Sequence, residues 1–172
     1  METNTLPRYD DSINTTGCCP KFNPEGWDGR HLHFHDKRFL RATTRSVMHV
    51  PVNMGNVFAR VHENVEKSGG WDNDDMIVLS RDLSPWKAEH LFSVPRDIPD
   101  EEMTTLSGEF LTHVFEGPYQ SAREWAPELE GMARAKGYEP KQVWFFYTTC
   151  PNCAKAYGKN YVVGVVELAG AE

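Results

Sequence analysis

Met103 to Gly137 reads MTTLSGEFLTHVFEGPYQSAREWAPELEGMARAKG, and the order of signals in it decides the fold. Residues 103–115 predict a strand, bent at Gly108. Gly117-Pro118-Tyr119 closes it with a turn. Ser121 followed by Glu124 has the spacing of a capping box. Trp125, Leu129 and Met132 then recur at three- and four-residue steps, so they line one apolar face of a helix that stops at Gly137. Two more strands follow, over 143–147 and 161–168. The last is almost wholly apolar, as a strand buried on both faces must be.

The same grammar runs upstream. Residues 39–50 are rich in β-branched and apolar types and predict a strand that Pro51 closes. Asn53 is placed to cap a helix whose apolar face is Met54, Val57, Phe58, Val61 and Val65, and Gly69-Gly70 stops it. Short strands follow at 76–80 and 86–94, then a polar connection from Pro95 to Glu102. The expected fold class is α+β, with duplicated strand-helix-strand-strand halves (about 37–96 and 103–168). They form an antiparallel sheet with two helices and a central pocket. Residues 37–172 make this domain. Residues 1–36, rich in Asn, Thr, Pro, Gly and Asp, make an arm that carries Cys18-Cys19-Pro20.

A length of 172 residues suits one domain of this kind. The formal net charge of −7, with scattered Lys and Arg, argues against nucleic acid or an anionic membrane as partner, since both demand a basic patch. No apolar run reaches the roughly 18–20 residues of a membrane span. Met1 to Asp10 lacks the basic-then-apolar pattern of a signal peptide. The expectation is a cytoplasmic monomer or homodimer with a small-molecule ligand.

His113-Val114-Phe115-Glu116-Gly117-Pro118-Tyr119, the helix with Trp125 and Leu129, Gly137-Tyr138-Glu139-Pro140 and a strand ending at Tyr147 follow one another in a known order. Over residues 103–168 this order resembles the GyrI-like small-molecule-binding family, which is related to the SOUL haem-binding proteins. Residues 39–94 match it in architecture alone. The resemblance implies a stand-alone member with a pseudo-symmetric pocket for apolar or cationic drug-like molecules, and hydrolysis of reactive ones in some members. Tyr119 and Tyr147 fall on family tyrosines. Phe145 stands where the family often carries a glutamate.

All four cysteines form two tight pairs, Cys18-Cys19 and Cys150-Pro151-Asn152-Cys153. The second is a CxxC, whose two thiolates can reach one tetrahedral zinc at about 2.3 Å. Together the pairs supply four sulfur ligands for a closed, structural zinc that would staple the arm to the C-terminal half. His33 or His35 could replace one thiolate. A redox dithiol or plain buried thiols are the alternatives. On a strand, His31, His33 and His35 would share one face, which is either a metal face or a solvated edge.

Hydrolysis needs a positioned acid or base in a site that excludes water. The candidate catalytic residues are Glu89, Tyr119 and Tyr147. The candidate ligand-binding residues are Trp86, His90, Glu116, Trp144 and Phe145. Strand alternation separates Glu89 from His90. If the aromatic face of that strand is the pocket face, His90 enters and Glu89 does not. No Ser-His-Asp order or phosphate-cradling loop is visible. The leading expectation is binding and hydrolysis of a drug-like or electrophilic molecule, a detoxifying activity. The alternatives are a ligand-sequestering module without turnover and a protein-interaction inhibitor.

Overall fold

A computed structural model of the chain describes residues 3–7, 22–72, 77–148, 155–158 and 160–169. The elements run β1 (His31–Val47), β2 (Val50–Pro51), α1 (Met54–Lys67), β3 (Val78–Ser84), β4 (Lys87–Ser93), β5 (Glu102–Glu116), a turn of 3-10 helix (Tyr119–Ser121), α2 (Ala122–Ala135), β6 (Glu139–Tyr147) and β7 (Tyr161–Ala169). The fold is α+β and dominated by one antiparallel sheet of seven strands, ordered β2-β1-β4-β3-β6-β7-β5. All four cysteines, and with them the zinc expectation, lie outside the described residues.

The sheet closes on itself. Phe39, Leu40 and Arg41 of β1 pair with β4 on one side and with β5 on the other. Six strands therefore form a ring, β1-β4-β3-β6-β7-β5. Closure requires β1 to bend, and its pairing with β5 shifts register between Phe34 and Lys37, as a bulged strand does when it turns. On β5, the glycine at which a bend is expected faces this irregularity. Gly108 lies opposite Phe34 with φ 135, a conformation that a residue without Cβ enters freely. On the other side of the ring, β3 and β6 share the single register pair Ser80–Phe145.

Alternation along the strands then sorts the side chains. Phe34, Phe39, Leu79, Leu91, Phe110, Trp144, Phe146, Val163 and Val165 fill the interior of the ring. The outer face carries the helices. Val57, Val61 and Val65 of α1 pack on Leu40, Ala42 and Phe92. Trp125, Leu129 and Ala133 of α2 pack on Phe115, Val162 and Val166. Trp125 stacks on Phe115 at 4.9 Å, a core role. Gly164 sits under this contact, and a Cβ there would lie 2.9 Å from both Leu129 and Phe115.

Three expectations change. The first strand begins at His31, inside the segment that composition marks as an arm. Leu6, Phe22 and Trp27, also from that segment, belong to the interior core, because the end of the ring needs apolar side chains to close it. Neither helix carries a side-chain cap at its N-terminus: Ser121 makes no such bond, and the Asn53 oxygen instead accepts the backbone N–H of Arg45 at 2.6 Å. Among the described residues, no helix is long and apolar enough to cross a membrane.

Candidate functional site

The register places the candidate residues on two opposite faces. Glu89 pairs across the strands with Arg81 and Thr43, so all three point into the ring. His90 pairs with Ser80 and Ala42, and Ser80 with Phe145, so these point outward, toward the helices. The aromatic face of β4 is therefore the outer one, and His90 and Glu89 cannot serve one site.

Inside the ring, Glu89 is buried and accepts two bonds from Arg41, at 3.2 Å from Nε and 3.1 Å from Nη2. Arg81 adds a contact at 3.5 Å and stacks its guanidinium 5.6 Å from the centre of the Trp144 ring. Arg41 also reaches Glu102 at 3.0 Å. This arrangement neutralises a buried carboxylate, with aromatic surface against one of its arginines. It engages Glu89 on the interior face, opposite the helix-flanked one.

The outer face has a buried floor. His90 is 2% exposed and Ser80 6%. Ser80 Oγ lies 2.7 Å from His90 Nδ1, and Thr44 Oγ1 lies 2.9 Å from Nε2. Phe58 of α1 packs edge-on over the imidazole at 5.0 Å. Desolvation by burial lowers the His90 pKa to about 4, against the opposing pull of Asp82 and Glu89. The ring is therefore neutral at physiological pH. It has one N–H to donate and one nitrogen to accept, and a hydroxyl at each.

Phe145 and Tyr147 extend this face along β6. Tyr119, delivered by the turn before α2, meets the Tyr147 ring at 5.4 Å. Tyr147 keeps 38% of its surface exposed, but desolvation raises its pKa to about 12, and the charge of Asp82 and the neighbouring Tyr119 add to the rise. Tyr147 is thus a fixed hydrogen-bond donor at neutral pH. Structure brings His90, Phe145, Tyr119 and Tyr147 together on one face, and adds Ser80 and Thr44. Trp144 and Glu89 are on the other face, Trp86 is exposed beside the β3–β4 turn, and Glu116 is exposed at the end of β5.

The rim of this face breaks a local rule. Val47 pairs with Val50, so Met48 and His49 are the central residues of a two-residue hairpin, with φ 50 and 71. Positive φ at both positions is the type I′ turn, which strongly favours Asn-Gly. Holding residues with side chains there costs on the order of 1–2 kcal/mol each. The turn is held by the backbone bond from His49 to Pro85, 2.8 Å. His49 Nδ1 also meets Asp82 Oδ2 at 2.6 Å.

The histidine run at the start of β1 has a different role. His31 Nε2 lies 2.6 Å from Glu109, and His33 contacts the other oxygen of the same carboxylate. His35 lies apart, exposed beside Asp36. Among the described residues, no group of three or more His, Cys, Asp or Glu is arranged to hold a metal ion.

A family model described as bacterial hydrolase matches residues 9–168. The chain belongs to the bacterial hydrolase family. The match spans both halves of the ring, the core residues Phe22 and Trp27 and every residue of the two polar clusters. No curated protein matches this bacterial hydrolase family member.

A charge-based prediction follows for this family member. The unfolded His90 binds a proton near pH 6.5, the folded one only near 4. Its contribution to stability is complete above pH 6.5 and is lost as the pH falls from there through 4. The loss is roughly 3 kcal/mol, from two and a half units at 1.36 kcal/mol each. Urea unfolding at pH 7, 5.5 and 4 should show this slope in the wild type and a shallower one in His90→Gln. Equal slopes would mean that His90 titrates normally.

Proposed function

We propose that this protein hydrolyses a small acyl compound on the face between α1 and α2, with Ser80 as nucleophile and His90 as its base. The observation that carries the reading is the line Ser80–His90–Thr44. It has the order nucleophile, base, orienting group that activates a hydroxyl. With the His90 N–H donated to Thr44, Nδ1 is free to accept the Ser80 proton. Ser80 Oγ then bonds to the acyl carbon, and the departing group leaves with that proton. The Tyr147 phenol, protonated throughout the physiological range, can donate to the oxygen on which charge develops. Membership of the bacterial hydrolase family supports turnover. The GyrI-like resemblance supports a ligand site here to the extent that Tyr119 and Tyr147, which fall on family tyrosines, meet on this face.

Incubation with a fluorophosphonate should label Ser80, detected by intact mass and peptide mapping. Ser80→Ala should lose the label and lower p-nitrophenyl acetate cleavage at least a hundredfold. A Ser80→Ala protein that cleaves the ester at the wild-type rate would overturn the assignment. The near-complete burial of Ser80 and His90 favours one second reading, a binding module whose polar floor is simply satisfied. Tight ligand binding with neither label nor cleavage would select it.

A further inference from the structure

We infer that His49 and Asp82 form a second acid–base pair that activates the water which releases the acyl group from Ser80. The inference rests on the hydrolase reading above. His90 has both ring nitrogens engaged by hydroxyls and lies under Phe58, so it is well placed to take the Ser80 proton and poorly placed to meet solvent. His49 has the opposite situation. Its side chain is 30% exposed, at the rim of the same face. The Asp82 carboxylate accepts from Nδ1–H, which fixes the tautomer and leaves Nε2 as the accepting atom.

Position supports the pairing. Asp82 stands two residues beyond Ser80 on the same face of β3, about 7 Å along the strand. Asp82 also raises the pKa of Tyr147, so the rim pair, the tyrosine and the serine share one neighbourhood. The turn explains why the placement is maintained. Met48-His49 occupies a hairpin that asks for Asn-Gly, and a residue held against its conformational preference points to a function for its side chain. The surroundings are apolar and exposed, with Met48, Val50, Val52 and Trp86 around the turn. They suit the apolar body of an acyl substrate beside an imidazole base.

Water gives one proton to His49 Nε2, and its oxygen bonds to the acyl carbon. The bond from that carbon to Ser80 Oγ breaks. The proton held on His49 returns to the serine oxygen through water, and both groups are restored.

The test is pre-steady-state cleavage of p-nitrophenyl acetate and butyrate, with intact-mass detection of the acyl adduct. His49→Gln should release one p-nitrophenol per chain in a burst, then slow at least thirtyfold while the acyl-Ser80 adduct accumulates. Asp82→Asn should act in the same direction. Met48→Asn/His49→Gly should behave like His49→Gln although its turn sequence fits the fold better, which separates lost chemistry from lost folding. A His49→Gln protein with wild-type steady-state turnover, or one slowed with no adduct, overturns the inference and leaves Ser80 in place. Absence of both cleavage and adduct in the wild type overturns the hydrolase reading and this inference with it.

Discussion

Trp27→Ala should lower the unfolding free energy by about 3–5 kcal/mol, the range for removing a large aromatic side chain from a packed core. Trp27 is fully buried. Its ring lies 5.8 Å from Phe22 and 5.6 Å from Phe146 of β6. The Thr112 hydroxyl of β5 donates to its backbone carbonyl. The residue therefore ties the segment before β1 to two strands from the other half of the ring, and truncation leaves a cavity that neither strand can move to fill. Urea unfolding followed by circular dichroism measures the effect. A loss below 1 kcal/mol would show that this segment lies on the domain without contributing to its core.

Glu89→Gln should cost about 3 kcal/mol while leaving ester cleavage by the folded protein within threefold of wild type. Removing one partner of a buried ion pair leaves charge without compensation, at about 3–5 kcal/mol. The lower end applies because Arg41 and Arg81 keep 28% of their side-chain surface exposed and Arg41 retains Glu102. Adding Arg81→Met should recover part of the loss, since the charge stranded by the first change is then gone. Guanidinium unfolding of the single and double variants tests the energetics, and their p-nitrophenyl acetate rates test the chemistry. A large loss of cleavage at undiminished stability would return Glu89 to the catalytic group.

The helix faces were legible in the sequence because a period of three to four residues is a local property. Val57, Val61 and Val65, then Trp125 and Leu129, are buried as their spacing requires. The pairs were not legible. His49 and Asp82 are 33 residues apart, and Thr44 and His90 are 46 apart, and no local pattern links them. One signal could have pointed to His49. Met-His between two exposed valines, with Pro51 two residues later, is an unusual hairpin tip whose cost implies a reason.

The chain by itself determined two helices, their buried faces, the alternation of each strand and hence that Glu89 and His90 oppose each other. These follow from covalent geometry and nearest-neighbour chemistry. Tertiary structure alone decided that the sheet closes through β1 and β5 and that the composition-poor segment near Trp27 fills its end. It also decided that the aromatic face of β4 turns toward the helices, sending Glu89 to the arginines and His90 to Ser80. Those outcomes depend on register between strands distant in sequence, and a register shift of one residue would exchange the two faces.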